Sequence, residues 1–95
     1  MDLGLKGKKA IVTGGKRGLG LATAQLLARE GCDVAICARG DVAEAVSSIA
    51  ALGVKAYGEG IDAGDGAAYK AWLTKAAEQL GGCDIFVHNM SGASG

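Results

Sequence analysis

The chain has 95 residues, 49% of them hydrophobic, with 17 glycines and no proline. That length allows one small domain at most, and the apolar content excludes a disordered chain. Ten basic residues balance ten acidic ones, so no net charge favours nucleic acid or an anionic membrane surface.

Lys6, Lys8 and Lys9 interrupt the first hydrophobic residues, which argues against a secretory leader. No apolar stretch approaches the ~20 residues of a membrane span, and a soluble cytoplasmic protein is expected. Lys8 to Thr13 reads as a strand, with the apolar run Ala10-Ile11-Val12 stopping at Gly14-Gly15. Leu19 to Glu30 reads as a helix: Leu19, Ala22, Leu26 and Leu27 recur at helical spacing, and Gly31 is the stop. Val34 to Ala38 is a second run of strand length. Asp41 caps a helix through about Leu52, with Val42, Ala45, Val46, Ile49 and Leu52 on one face. Lys55 to Ile61 is a weaker strand, interrupted by Gly58 and Gly60. Asp65 opens a third helix that buries Tyr69, Trp72, Leu73, Ala76 and Leu80 and ends at Gly81-Gly82. Cys83 to Asn89 is a fourth strand, and residues 91–95 form a small-residue tail expected to be flexible.

The order is β-α-β-α-β-α-β. Strands alternating with helices imply a parallel sheet, and continuous apolar strands imply that both its faces are covered. The fold class is α/β, a Rossmann-type doubly wound parallel sheet with strand order 3-2-1-4. Cys32, Cys37 and Cys83 have no metal-ligand spacing and are expected as reduced, buried thiols.

Between the first strand and first helix lies Thr13-Gly14-Gly15-Lys16-Arg17-Gly18-Leu19-Gly20. A helix start offers unpaired N–H groups and partial positive charge, and both suit a pyrophosphate. Gly14 allows a sharp turn, Gly18 a close approach of backbone to ligand, and Gly20 close packing of helix on sheet. The spacing is not that of a P-loop, because Leu21-Ala22 follow Gly20 where a lysine and a hydroxyl would be needed.

Thr13-Gly14-x-x-x-Gly18-Leu19-Gly20 resembles the T-G-x-x-x-G-[IL]-G motif of the short-chain dehydrogenases/reductases. Three further landmarks fall in order across the whole chain. Asp62, followed by Ala63, stands after the third strand, where the family has an Asp that contacts adenine. Asp84 falls early in the fourth strand, as in the family's D-[IV]-[LF]-V pattern. Val87-His88-Asn89-Met90-Ser91 occupies the place of V-N-N-A-G, keeping the second Asn as Asn89 and departing at His88, Met90 and Ser91. Asp62 is also placed to cap the turn into the third helix, and His88 reads as a satisfied strand-end histidine.

The end of the second strand separates NAD from NADP. An acidic side chain there would bind both ribose hydroxyls and repel a 2′-phosphate. Ala38 stands at that position and Arg39 follows. The Arg39 guanidinium is a planar fork of donors that fits phosphate oxygens, with Arg17 and Lys16 of the glycine loop able to approach the same group. NADP(H) is therefore expected ahead of NAD(H). The residues expected to bind it are Gly14, Lys16, Arg17, Gly18, Leu19, Gly20, Arg39, Asp62, Ala63 and Asn89.

The resemblance implies hydride transfer between NADP(H) and a carbonyl/alcohol substrate. It also implies a Ser and a Y-x-x-x-K pair in the second half of the fold. Tyr57 is followed four residues on by Ile61 and Tyr69 by Leu73, so neither tyrosine fits, and no catalytic residue is assigned. The expected partners are the C-terminal half of the fold, as a separate chain or segment, and further copies, by resemblance a tetramer. The alternative reading is a non-catalytic nucleotide-binding module or complementing subunit.

Overall fold

The computed structural model describes residues 4–14, 18–61 and 65–89. Along them run β1 (Lys9–Thr13), α1 (Gly18–Arg29), β2 (Asp33–Ala38), α2 (Ala43–Ala50), β3 (Ala56–Gly60), α3 (Gly66–Leu80) and β4 (Ile85–His88). The strands pair in parallel in the order β3-β2-β1-β4. The sheet thus grows outward from β1 in one direction through β2 and β3, and in the other through β4.

Alternation along the strands feeds two cores. Ala10 and Val12 of β1, with Val34, Ile36 and Ala38 of β2, meet Ala24 and Ala28 of α1 and Val42, Ala45 and Ile49 of α2. On the other face, Ile11, Ala35 and Cys37 meet Trp72, Ala76 and Leu80 of α3. The continuous apolar runs of β1 and β2 follow from this double cover, since nearly every residue in them is buried.

α3 has both ends fixed by its own sequence. Asp65 is the N-cap and accepts from the Ala68 N–H at 3.0 Å. Gly81 stops the helix in the left-handed conformation, φ +88°, and donates to the Ala77 carbonyl at 2.9 Å. At α2, Asp41 lies one residue before the N-cap position, Val42, and its Oδ1 accepts from the Ala43 N–H at 2.9 Å.

Three expectations are corrected. The buried stripe of α1 is Gly20, Ala24 and Ala28, whereas Leu19 and Leu26 are 74% and 58% exposed. Small residues let α1 lie close to the sheet, and Leu21 and Leu27 flank the contact half-buried. The larger leucines dominate the sequence periodicity but stand beside or outside the seam. Leu52 is likewise partly exposed, because α2 ends at Ala50. Cys83 is exposed, unlike Cys32 and Cys37, because β4 begins two residues later. Burial raises the Cys32 thiol pKa and pushes that of Cys37 up to about 11, as expected of packing residues.

Two aspartates lock the N-terminal edge of the sheet. Asp84 precedes β4; its Oδ2 accepts from the Lys9 N–H at 2.8 Å, and its own N–H donates to the Lys9 carbonyl at 2.7 Å. Asp33 accepts from Lys9 Nζ at 2.6 Å and from the Lys55 N–H at 3.0 Å, joining β1, β2 and the start of β3. The Lys9 hydrogen bond, reinforced by the Lys55 amide, holds the Asp33 carboxyl below the usual carboxylate range. A lowered pKa adds stability above the unfolded-state value, near 3.9. That contribution is lost as pH falls through the lower folded value. Asp33→Asn is therefore expected to cost about 1 kcal/mol at pH 7. The gap from wild type should narrow as pH falls below about 3.9 and close below the lower folded value; denaturant titrations at several pH values check both.

Candidate functional site

Parallel strands send all their following loops to one edge of the sheet. On that edge, β1 and β4 are neighbours although the chain reaches them from opposite sides. This is where a doubly wound sheet opens a crevice.

Thr13 closes β1 and is the one buried polar residue among those described. Its backbone carbonyl and its Oγ1 both accept from the Asn89 N–H, at 3.1 and 3.0 Å. The hydroxyl in turn reaches the Val87 carbonyl at 3.4 Å and lies 3.2 Å from His88 Nδ1. Tyr69 of α3 brings its hydroxyl within 3.2 Å of the same ring nitrogen. One hydroxyl thus fixes the end of β4 against the end of β1, and His88 is a partnered strand-end residue.

Gly14 turns the chain out of β1 with φ +73°, and its N–H donates to the Cys37 carbonyl at 2.7 Å. α1 then opens at Gly18. A Cβ on Gly18 would meet none of the described residues within 4 Å. A Cβ on Gly20 would overlap the Gly14 carbonyl oxygen and come within 2.7 Å of Asn89 Nδ2. The structure therefore brings the Gly14 carbonyl and the Asn89 side chain both against Gly20, with Gly18 and the exposed Leu19 at the rim. The first turn of a helix leaves N–H donors outside its internal ladder. A polar amide and a turn of bare backbone stand beside that first turn, a setting suited to an anionic group.

At the end of β2, Ala38 is buried and Arg39 is exposed just beyond it. No carboxylate stands at the strand's last position. Lys16, Arg17, Asp62 and Ala63 lie outside the described residues, as do Met90, Ser91 and the tail. Among the described residues there is no cluster of three or more metal-ligating side chains, and no helix is long and apolar enough to cross a membrane.

Thr13, the first residue of the loop motif, is a site residue outside the set expected from sequence. The signal was a hydroxyl residue ending an otherwise apolar buried strand, where a polar group must find a partner.

A sequence-family model described as short chain dehydrogenase matches residues 8–94. Among curated proteins, the chain is 42% identical over 85 residues to galactitol 2-dehydrogenase of Agrobacterium fabrum, covering 90% of this chain and 33% of that protein. Among solved structures, a short chain dehydrogenase from Burkholderia cenocepacia in complex with NADP superposes with a TM-score of 0.87 at 41% identity, over 92% of this chain and 37% of that one. Carveol dehydrogenase from Mycobacterium avium in complex with NAD superposes with a TM-score of 0.84 at 29% identity, over 90% of this chain and 36% of that one. The chain spans about a third of the length of the curated relatives it matches.

Proposed function

The chain belongs to the short-chain dehydrogenase family, and on that premise we propose that it is the cofactor-binding part of an NADP(H)-dependent oxidoreductase acting on a carbonyl/alcohol pair. The observation that carries this reading is the close approach of Gly14 and Asn89 to Gly20 at the β1–β4 crevice. Gly14, Gly18, Leu19 and Gly20 cradle the diphosphate, and Arg17 and Lys16 approach the 2′-phosphate. Asn89 lines the crevice, Asp62 and Ala63 receive the adenine, and Arg39 takes the 2′-phosphate. When bound, the nicotinamide carries the hydride; the residues of this chain hold and orient the nucleotide.

The choice of NADP(H) over NAD(H) rests on the Ala38-Arg39 pair. No carboxylate at Ala38 repels a phosphate, and a guanidinium follows. The remainder of the fold, as a further segment or a separate chain, supplies the Ser, Tyr and Lys of the chemistry and covers β4, where Phe86 is 50% exposed. Assembly into a tetramer and a cytoplasmic setting complete the proposal.

A charge-assisted hydrogen bond contributes about 1.5–3 kcal/mol. Arg39→Ala in the full-length protein is therefore expected to weaken NADPH binding by about tenfold to a hundredfold. NADH binding should stay within about twofold, since the two cofactors differ only at the phosphate. Titration of both cofactors against both proteins tests it; an unchanged NADPH/NADH ratio removes the phosphate reading.

A further inference from the structure

The turn that carries Arg39 is seated on β3 through one glycine. Gly60 is the register partner of Ala38, and the Ile61 N–H donates to the Ala38 carbonyl at 2.9 Å, so the last residues of β2 and β3 are locked side by side. Directly above, Gly40 takes φ +84°, a backbone conformation that side chains disfavour. A Cβ on Gly60 would overlap the Gly40 carbonyl oxygen and come within 3.0 Å of its carbonyl carbon. The atoms in the way are backbone, which cannot rotate aside as the tip of a side chain can.

The turn also borders a cavity. About 510 Å³ in volume, it is lined by Gly40, Asp41, Val42, Val46, Gly58 and Gly60 among others. Beyond Gly40, the Asp41 carboxylate ties the turn to the Ala43 N–H, at the first residue of α2. On the β3 side, how closely the Gly40 backbone approaches the sheet is set by what stands at Gly60.

We propose that Gly60 is a positioning residue for cofactor selectivity: its bare backbone lets the Gly40 carbonyl settle onto β3, and this sets where the Arg39 guanidinium stands. The inference rests on the reading of Arg39 as the phosphate-binding group. Gly60 lies next to neither the glycine loop nor Asn89 in the register, so the diphosphate part of the site does not depend on it.

The test is made in the full-length protein with Gly60→Ala and Gly40→Ala, each also combined with Arg39→Ala. The second glycine variant disturbs the same turn without loading the strand, and NADH binding reports that each variant is folded. Both glycine variants are expected to weaken NADPH about tenfold, equivalent to one impaired charge-assisted hydrogen bond. NADH should stay within about twofold, and neither glycine change should alter the NADPH/NADH ratio further once Arg39 is gone. Equal loss of both cofactors, or no loss of either, overturns the proposal while Arg39→Ala still shifts the ratio. If Arg39→Ala itself leaves the ratio unchanged, the phosphate reading falls and the role of Gly60 falls with it.

Discussion

Gly20→Ala is expected to weaken the binding of NADPH and NADH alike. The added methyl would overlap the Gly14 carbonyl and crowd Asn89 Nδ2. The Gly14 obstacle is backbone, held through its N–H on Cys37, whereas the Asn89 amide is a side-chain tip on a backbone anchored to Thr13. Relief requires α1 to back away from the sheet, and overpacking of this kind costs about 1–3 kcal/mol of stability. The same retreat takes the opening turn of α1 off the crevice. The expected loss is at least about tenfold for each cofactor, equivalent to one charge-assisted hydrogen bond or more. Equal loss separates this variant from Arg39→Ala, whose effect should be confined to NADPH. Calorimetric titration with both cofactors decides, and a Gly20→Ala protein that binds either one normally would remove Gly20 from the site.

Trp72→Ala should bring the largest loss of stability, about 3–5 kcal/mol. Trp72 is 2% exposed and is the largest side chain in the core between α3 and the sheet. Against the 5–15 kcal/mol typical of a whole domain, that loss leaves little margin. Trp72→Phe should cost far less than its change in volume suggests. The buried indole Nε1 finds no hydrogen-bond partner among the described residues, and an unpaired buried donor is itself a penalty of about 1–3 kcal/mol. Because this is the only tryptophan of the chain, the comparison calls for circular dichroism instead of intrinsic fluorescence. Tyr69 sits one turn earlier on the same helix, within reach of His88. The alanine variant should therefore also loosen the end of β4.

The order of elements and the location of the crevice were legible in the sequence because both are marked locally. Glycines punctuate the apolar runs, and the Gly14–Gly20 loop announces itself at a strand–helix junction. The orientation of α1 was not legible, since periodicity weights large apolar residues and the contact with the sheet uses small ones. The glycines of β3 read as a weakness in a strand. In the folded chain they are a requirement: a Cβ on Gly58 would run into Val46, and one on Gly60 into Gly40. The bond from Asn89 to Thr13 spans 76 residues, a distance over which no spacing rule operates.

That long reach also orders events in time. β1 and β2 meet through Lys9 and Asp33, 24 residues apart, whereas β1 meets the start of β4 through Lys9 and Asp84, 75 residues apart. Pairings between distant segments are slow to form, and during synthesis Asn89 leaves the ribosome long after Gly20. One wall of the crevice is thus built early and the other late. A nucleotide in the cell cannot guide the first steps of folding; it can only trap the last one, as β4 zips alongside β1.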